Sequence, residues 1–162
     1  LSSSDDILKL FVIERHHKTG NIAKGLLNGY GLKNAAIALS IAHDSHNVIV
    51  VGDNQRDIVK AVQTIEEIQG GIVLVENGEV KDYLQLEVAG LMTNRSGTYV
   101  RDKLENMEKR ARELGVSDDI DDPFLALAFL SLPVIPDLKL TDKGLFDVRN
   151  FKIIPLEAGE DL

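Results

Sequence analysis

The stretch from Ile72 to Leu86, IVLVENGEVKDYLQL, decides how this chain is read. An apolar run leads into Glu76-Asn77-Gly78-Glu79, and a second run, Val80 to Leu86, leads out. Asn-Gly readily takes the positive φ angles of a type I′ turn, whose twist suits two antiparallel strands, so the stretch predicts a β-hairpin. Upstream, Asn54 can cap a helix in which Ile58, Val62, Ile65 and Gln69, widened by Val59 and Ile68, form a stripe of 3.6-residue period. Gly70 and Gly71 end it. Earlier still, Ala35 to Ala42 and Asn47 to Gly52 read as neighbouring strands. The run Val48-Ile49-Val50-Val51 fits only a well-covered sheet position. Leu8 to Ile13 has the same composition and is expected to be buried on both faces. Between these strands, residues 22–32 stay unassigned, because Gly25, Gly29 and Gly31 argue for close backbone approach more than for a regular helix.

Downstream, Val100, Leu104, Met107, Ala111 and Leu114 recur at helical spacing with Gly115 as a stop, and one face of this helix should lie on the sheet. A short helix follows Asp122-Pro123, and Pro133 and Pro136 prevent its continuation. Two short strands, near Leu138 to Leu140 and Phe151 to Ile154, are expected to close the domain. The order is not a strict alternation of strand and helix. The expected class is therefore α+β, a layered domain with a mixed β-sheet packed by helices. The acidic loop Ser117 to Asp122 is too short to divide the chain, so residues 1–162 read as a single domain.

Composition narrows the function classes. The chain has 162 residues, 44% of them apolar, enough to bury a core without staples. It has no cysteine, which removes disulfides, thiolate metal sites and a cysteine nucleophile, and fits a reducing, cytoplasmic setting. A formal charge of -8 repels phosphate backbones and points away from nucleic acid. The apolar run Phe124 to Pro136 is broken by Ser131 and Pro133 and falls short of the roughly 20 residues of a membrane span. Residue 1 is Leu, and Ser2 to Asp6 lacks the pattern of a secretory signal, so the sequence reads as beginning inside a longer chain.

Two polar clusters are candidates for a site. His43-Asp44-Ser45-His46-Asn47 sits between two apolar segments that would hold it rigidly. Imidazoles can bind metal or move protons near neutral pH, a carboxylate can orient one of them, and Ser and Asn can fix a ligand. Residues three apart in an extended chain face opposite sides, so the two histidines converge only if the loop turns sharply. Glu14-Arg15-His16, at the end of the first strand, is the second cluster, and its arginine could bind a carboxylate bidentately. His17 and Lys18 are assigned to the surface. Pattern alone leaves open that the first cluster is a polar loop bonded to its own backbone and the second a solvated strand end. No P-loop, HExxH, EF-hand loop or GxSxG elbow occurs.

Taken in order, Val12-Ile13-Glu14-Arg15-His16, Gly29-Tyr30-Gly31-Leu32, Ala42-His43-Asp44-Ser45-His46-Asn47, Gly70-Gly71-Ile72-Val73, Ala89-Gly90-Leu91-Met92, Asp122-Pro123-Phe124 and Leu132-Pro133-Val134-Ile135-Pro136 closely resemble the carboxy-terminal domain of bacterial adenine deaminases, amidohydrolase-superfamily enzymes. The resemblance covers nearly the whole chain. It implies hydrolysis of adenine to hypoxanthine and ammonia by a larger enzyme. In that enzyme a divalent metal, manganese, iron or zinc, is bound outside this chain by a (β/α)8 barrel that the chain does not contain. Glu14, Arg15, His16, His43, Asp44, Ser45, His46 and Asn47 are then expected to close the pocket and contact the base or groups around the metal, without being metal ligands. The expected partners are adenine, the barrel domain and further copies of the same enzyme. The alternative is a structural or oligomerisation domain with no direct catalytic residue. A weaker third reading is a free-standing purine-binding module.

Overall fold

In a computed structural model, which describes residues 6–156, the apolar runs become the middle of a six-stranded sheet. Strands β1 (Ile7–Ile13), β2 (Ile22–Asn28), β3 (Ala35–Leu39), β4 (Val48–Gly52), β5 (Gly71–Glu76) and β6 (Glu79–Gln85) lie in the order β2-β1-β4-β3-β5-β6. The polar opening expected at Ser2 to Asp6 lies, apart from Asp6, outside the described residues. The layered α+β class is as the sequence implies. Every pairing in the sheet is antiparallel, so the parallel component that a mixed sheet would contain is not seen among the described residues. β4 and β5 run in the same direction and are joined by a crossover through the helix at Gln55–Glu67, but β3 lies between them, so they share no ladder.

Side chains alternate across the sheet and feed two cores. On one face Leu10, Val12, Ile37, Leu39, Ile49, Val51, Ile72 and Leu74 bury against helix α2 (Gly97–Glu113), helix α3 (Pro123–Phe129) and Leu140. On the other, Ala36, Ala38, Val48, Val50, Val73 and Val75 meet Ile58, Ala61 and Ile65 of helix α1 (Gln55–Glu67). Residues of β3 and β4 are buried throughout, as a continuous apolar run requires. β1 differs from expectation: its burial alternates, because α1 lies over β3, β4 and β5 and leaves Phe11 and Ile13 only partly covered.

The helices start where their caps lie. The Asn54 side chain accepts the Asp57 N–H at 2.9 Å, and Asp122 accepts from Phe124 and Leu125, each at 2.9 Å. In α1, Ala61 completes the buried face while Val59 points outward. In α2, Met107 and Ala111 turn inward, as the spacing predicts. A small second sheet, β7 (Leu138–Thr141), β8 (Gly144–Asp147) and β9 (Lys152–Ile154), packs on the β1–β2 hairpin. The four-residue β8, half-buried throughout, has no alternation by which sequence could find it.

The unassigned residues 22–32 contain β2 and a turn, and the glycines explain both. Gly25 faces Leu140, whose Cδ2 would lie 3.3 Å from any Cβ placed there. Gly31 has φ +92, and a Cβ on it would stand 2.3 Å from the Gly115 carbonyl oxygen. The two backbones pass so closely that Lys33 N–H donates to Leu114 O and Ser117 N–H to Tyr30 O, each at 3.0 Å. Gly31→Ala should therefore destabilise the chain by about 3 kcal/mol or more, combining a left-handed backbone with overpacking. Gly29, at φ +84 with open space around it, should lose only about 1–2 kcal/mol on the same change. Urea unfolding measures both, and equal losses would contradict the close approach.

Candidate functional site

The register places Ile13, Ile22, Leu39, Val48, Gly71 and Gln85 along one end of the sheet. The connections leaving that end are residues 14–21, 40–47, 68–70 and 86–96. Both sequence clusters fall here, and the strand order β1-β4 makes them neighbours.

Residues 42–46 do turn sharply. The His46 N–H donates to the Ala42 carbonyl at 2.6 Å, and His46 has φ 52, in the left-handed region. The turn brings the imidazoles of His43 and His46 together edge to face, with ring centres 5.3 Å apart. His43 also stacks on Phe129 at 5.0 Å, and its N–H donates to Ala128 O at 3.1 Å, tying the loop to α3. Asp44 and Ser45 are exposed at the crest. Asn47 is buried, and its Oδ1, like Nδ1 of His46, has no hydrogen-bond partner among the described residues. A buried polar atom left unmet costs about 1–3 kcal/mol, so hydrogen-bonding capacity is left unused beneath the loop.

The three residues that follow β1 take separate roles. Arg15 donates from Nε to His46 O at 2.6 Å and from Nη2 to Ala89 O at 2.9 Å. His16 Nε2 donates to Ser45 O at 2.7 Å. The second cluster thus holds the first through its backbone carbonyls, which spacing could not reveal. Glu14 faces its own turn: it accepts from the N–H groups of His16, His17 and Thr19 and from the Thr19 hydroxyl. These bonds, Thr19 foremost, hold its carboxyl down at about 2. His17 and Lys18 are exposed, as assigned.

A turn that sequence reasoning gave no role joins the same end. Residues Val88 to Met92 form a tight reversal, with Leu91 N–H donating to Val88 O at 3.0 Å, seated on fully buried Ser40. Its signals in the sequence are Ala89-Gly90 between two apolar residues and the place of Ala89-Gly90-Leu91-Met92 in the family resemblance. Among the described residues no three of His, Asp or Glu stand together as a metal site, and the His43–His46 pair alone does not fit one. No helix among them is long and apolar enough to cross a membrane.

Burial, then the neighbouring His43 and Arg15, lower the His46 pKa from 6.5. The unfolded chain therefore binds more protons than the folded chain around and below that value, and stability should fall as pH drops from 7 to about 5. Glu14, whose folded pKa is also depressed, adds its loss only below about 4.5. Melting temperatures across this range should decline in the unaltered chain and flatten in His46→Gln. An unchanged slope in the variant would remove His46 as the cause.

The chain matches known proteins over most of its length. A family model described as adenine deaminase C-terminal domain matches residues 1–152. "Adenine deaminase 2" of Carboxydothermus hydrogenoformans is 50% identical over 155 residues, 96% of this chain and 27% of that protein. "Adenine deaminase" of Clostridium acetobutylicum is 51% identical over 149 residues, covering 91% and 26%, and that of Bacillus pumilus is 43% identical over 153 residues, covering 94% and 26%. The chain thus spans about a quarter of the length of these relatives. With the match running from the first strand through the start of the last, this chain belongs to the adenine deaminase C-terminal domain family.

Proposed function

We propose that this chain serves as the C-terminal domain of an adenine deaminase, which releases ammonia from adenine to give hypoxanthine, and that the end of its sheet bearing residues 14–16 and 43–47 faces the active site. The relatives' names support the reaction. The observation that carries the role of this end is the 43–47 loop itself: a turned loop braced from three sides, with exposed Asp44 and Ser45 on its crest. Rigid support beneath exposed polar groups is what a recognition loop needs.

In this reading Asp44 and Ser45 meet the substrate or groups brought by the remainder of the enzyme, and His43 and His46 set the shape and polarity of the loop. His46 is held toward its neutral form, so it can accept as well as donate a proton at a hydrogen-bonding atom. The divalent metal, manganese, iron or zinc, belongs to the remainder, a barrel, and no step here is assigned to it. The enzyme works in the cytoplasm. In a full-length enzyme carrying this domain, Asp44→Ala should reduce kcat/KM for adenine by about tenfold or more, a loss of about 1.4 kcal/mol in transition-state binding. Unchanged kcat and KM in both Asp44→Ala and His46→Ala would defeat the proposal.

A second reading, association with another copy, is favoured by one surface. Phe11, Ile13, Ile22 and Val59 line an apolar trough of about 500 Å³ between the β1–β2 hairpin and α1. Ile22 is 61% exposed there. The α2 helix buries its apolar face internally and offers no such surface. If copies meet at the trough, sedimentation should show a multimer that Ile22→Glu converts to monomer; a monomer before substitution rejects this surface.

A further inference from the structure

Arg15 is an ion without a counterion: among the described residues no carboxylate forms an ion pair with it. Its two hydrogen bonds go to the carbonyls of His46 and Ala89. Both are non-glycine residues at positive φ, 52 and 57, a region that L side chains enter only at a cost. Ala89 and Gly90 are the central residues of the Val88–Leu91 turn and both have positive φ, as in a type I′ turn, where Asn or Gly is usual and alanine is not.

The seat beneath this turn is rigid. Ser40 Oγ donates to Gly90 O at 2.5 Å and accepts the Gly71 N–H at 2.7 Å. A Cβ on Gly70 would lie 2.4 Å from the Gly90 Cα, and one on Gly90 would meet Arg15 Nη1 at 3.0 Å. The turn is therefore confined between Ser40 and the guanidinium, and the same guanidinium holds the 43–47 loop. A lysine is a point charge and has no planar fork to span two carbonyls.

We propose that Arg15 is a positioning residue that holds two left-handed turns, at His46 and at Ala89, as one rim, and that the Val88–Met92 turn is accordingly part of the substrate-facing end of the domain. This rests on the active-site reading above. Arg15 acts through the loop geometry and not by binding a substrate group.

The test uses a full-length enzyme carrying this domain. Arg15→Ala and Arg15→Lys should each lower kcat at least tenfold with KM for adenine changed less than threefold. Adding Ala89→Gly to Arg15→Ala should recover at least threefold of the lost kcat, because glycine holds positive φ without assistance. Millimolar guanidinium, but not methylammonium, should also partly restore Arg15→Ala. If Arg15→Ala fails to fold, Arg15→Gln is read by the same split and the same double variant. A loss confined to KM would make Arg15 a substrate contact and overturn the proposal. So would recovery of full kcat by Arg15→Lys, or no recovery from Ala89→Gly. Normal turnover in Arg15→Ala, with Asp44→Ala and His46→Ala impaired, rejects the clamp and leaves the active-site reading standing. Normal turnover in all three variants removes both.

Discussion

Burial of the central strands on both faces is the constraint from which the rest of the architecture follows. Residues of β3, β4 and most of β5 have no solvent-facing side, so an apolar cover is needed above and below the sheet. One 13-residue helix supplies one cover, and two helices with a small sheet supply the other. Polar side chains have little room within such strands and collect at the strand ends. The two polar clusters lie at an end of the sheet because the interior excludes them.

Close backbone contacts then turn a layered core into a shaped one. Gly31 against Gly115 lets two loops share hydrogen bonds behind α2, and Gly70 against Gly90 lets the Val88–Met92 turn settle onto Ser40. At these positions any side chain would collide with backbone, which does not yield as a side-chain tip does. The Ser40 hydroxyl satisfies groups on both sides of the gap, so the turn is fixed from below with no buried polar group of Ser40 left over.

Charge is distributed unevenly over this acidic chain. Glu14 is committed to its own turn, and the side chains of Arg15 and His16 reach the 43–47 loop with carbonyl oxygens as their hydrogen-bond partners. No carboxylate among the described residues pairs with the Arg15 guanidinium, which, after burial and the neighbouring His43, helps depress the pKa of His46. The arrangement gives a neutral imidazole inside a locally positive frame, an environment set by neighbours from three separate segments.

Local information was enough for the elements whose physics is local. The Asn77-Gly78 turn, the Asn54 cap, the inward face of α2 and the Asp122-Pro123 helix start are legible because capping, turn conformation and 3.6-residue periodicity act within a few residues. The same holds for the polarity of the 43–47 loop and of residues 14–16. Family resemblance supplied the domain family. Strand β2 escaped because Gly25 interrupts its pattern to admit Leu140, more than a hundred residues away. The uniform antiparallel pairing and the order β2-β1-β4-β3-β5-β6 are decided by which faces can be covered together, a property of the assembled layers. Only that order brings Arg15 to His46 and Ala89, because hydrogen bonds spanning 31 and 74 residues leave no periodic trace in sequence.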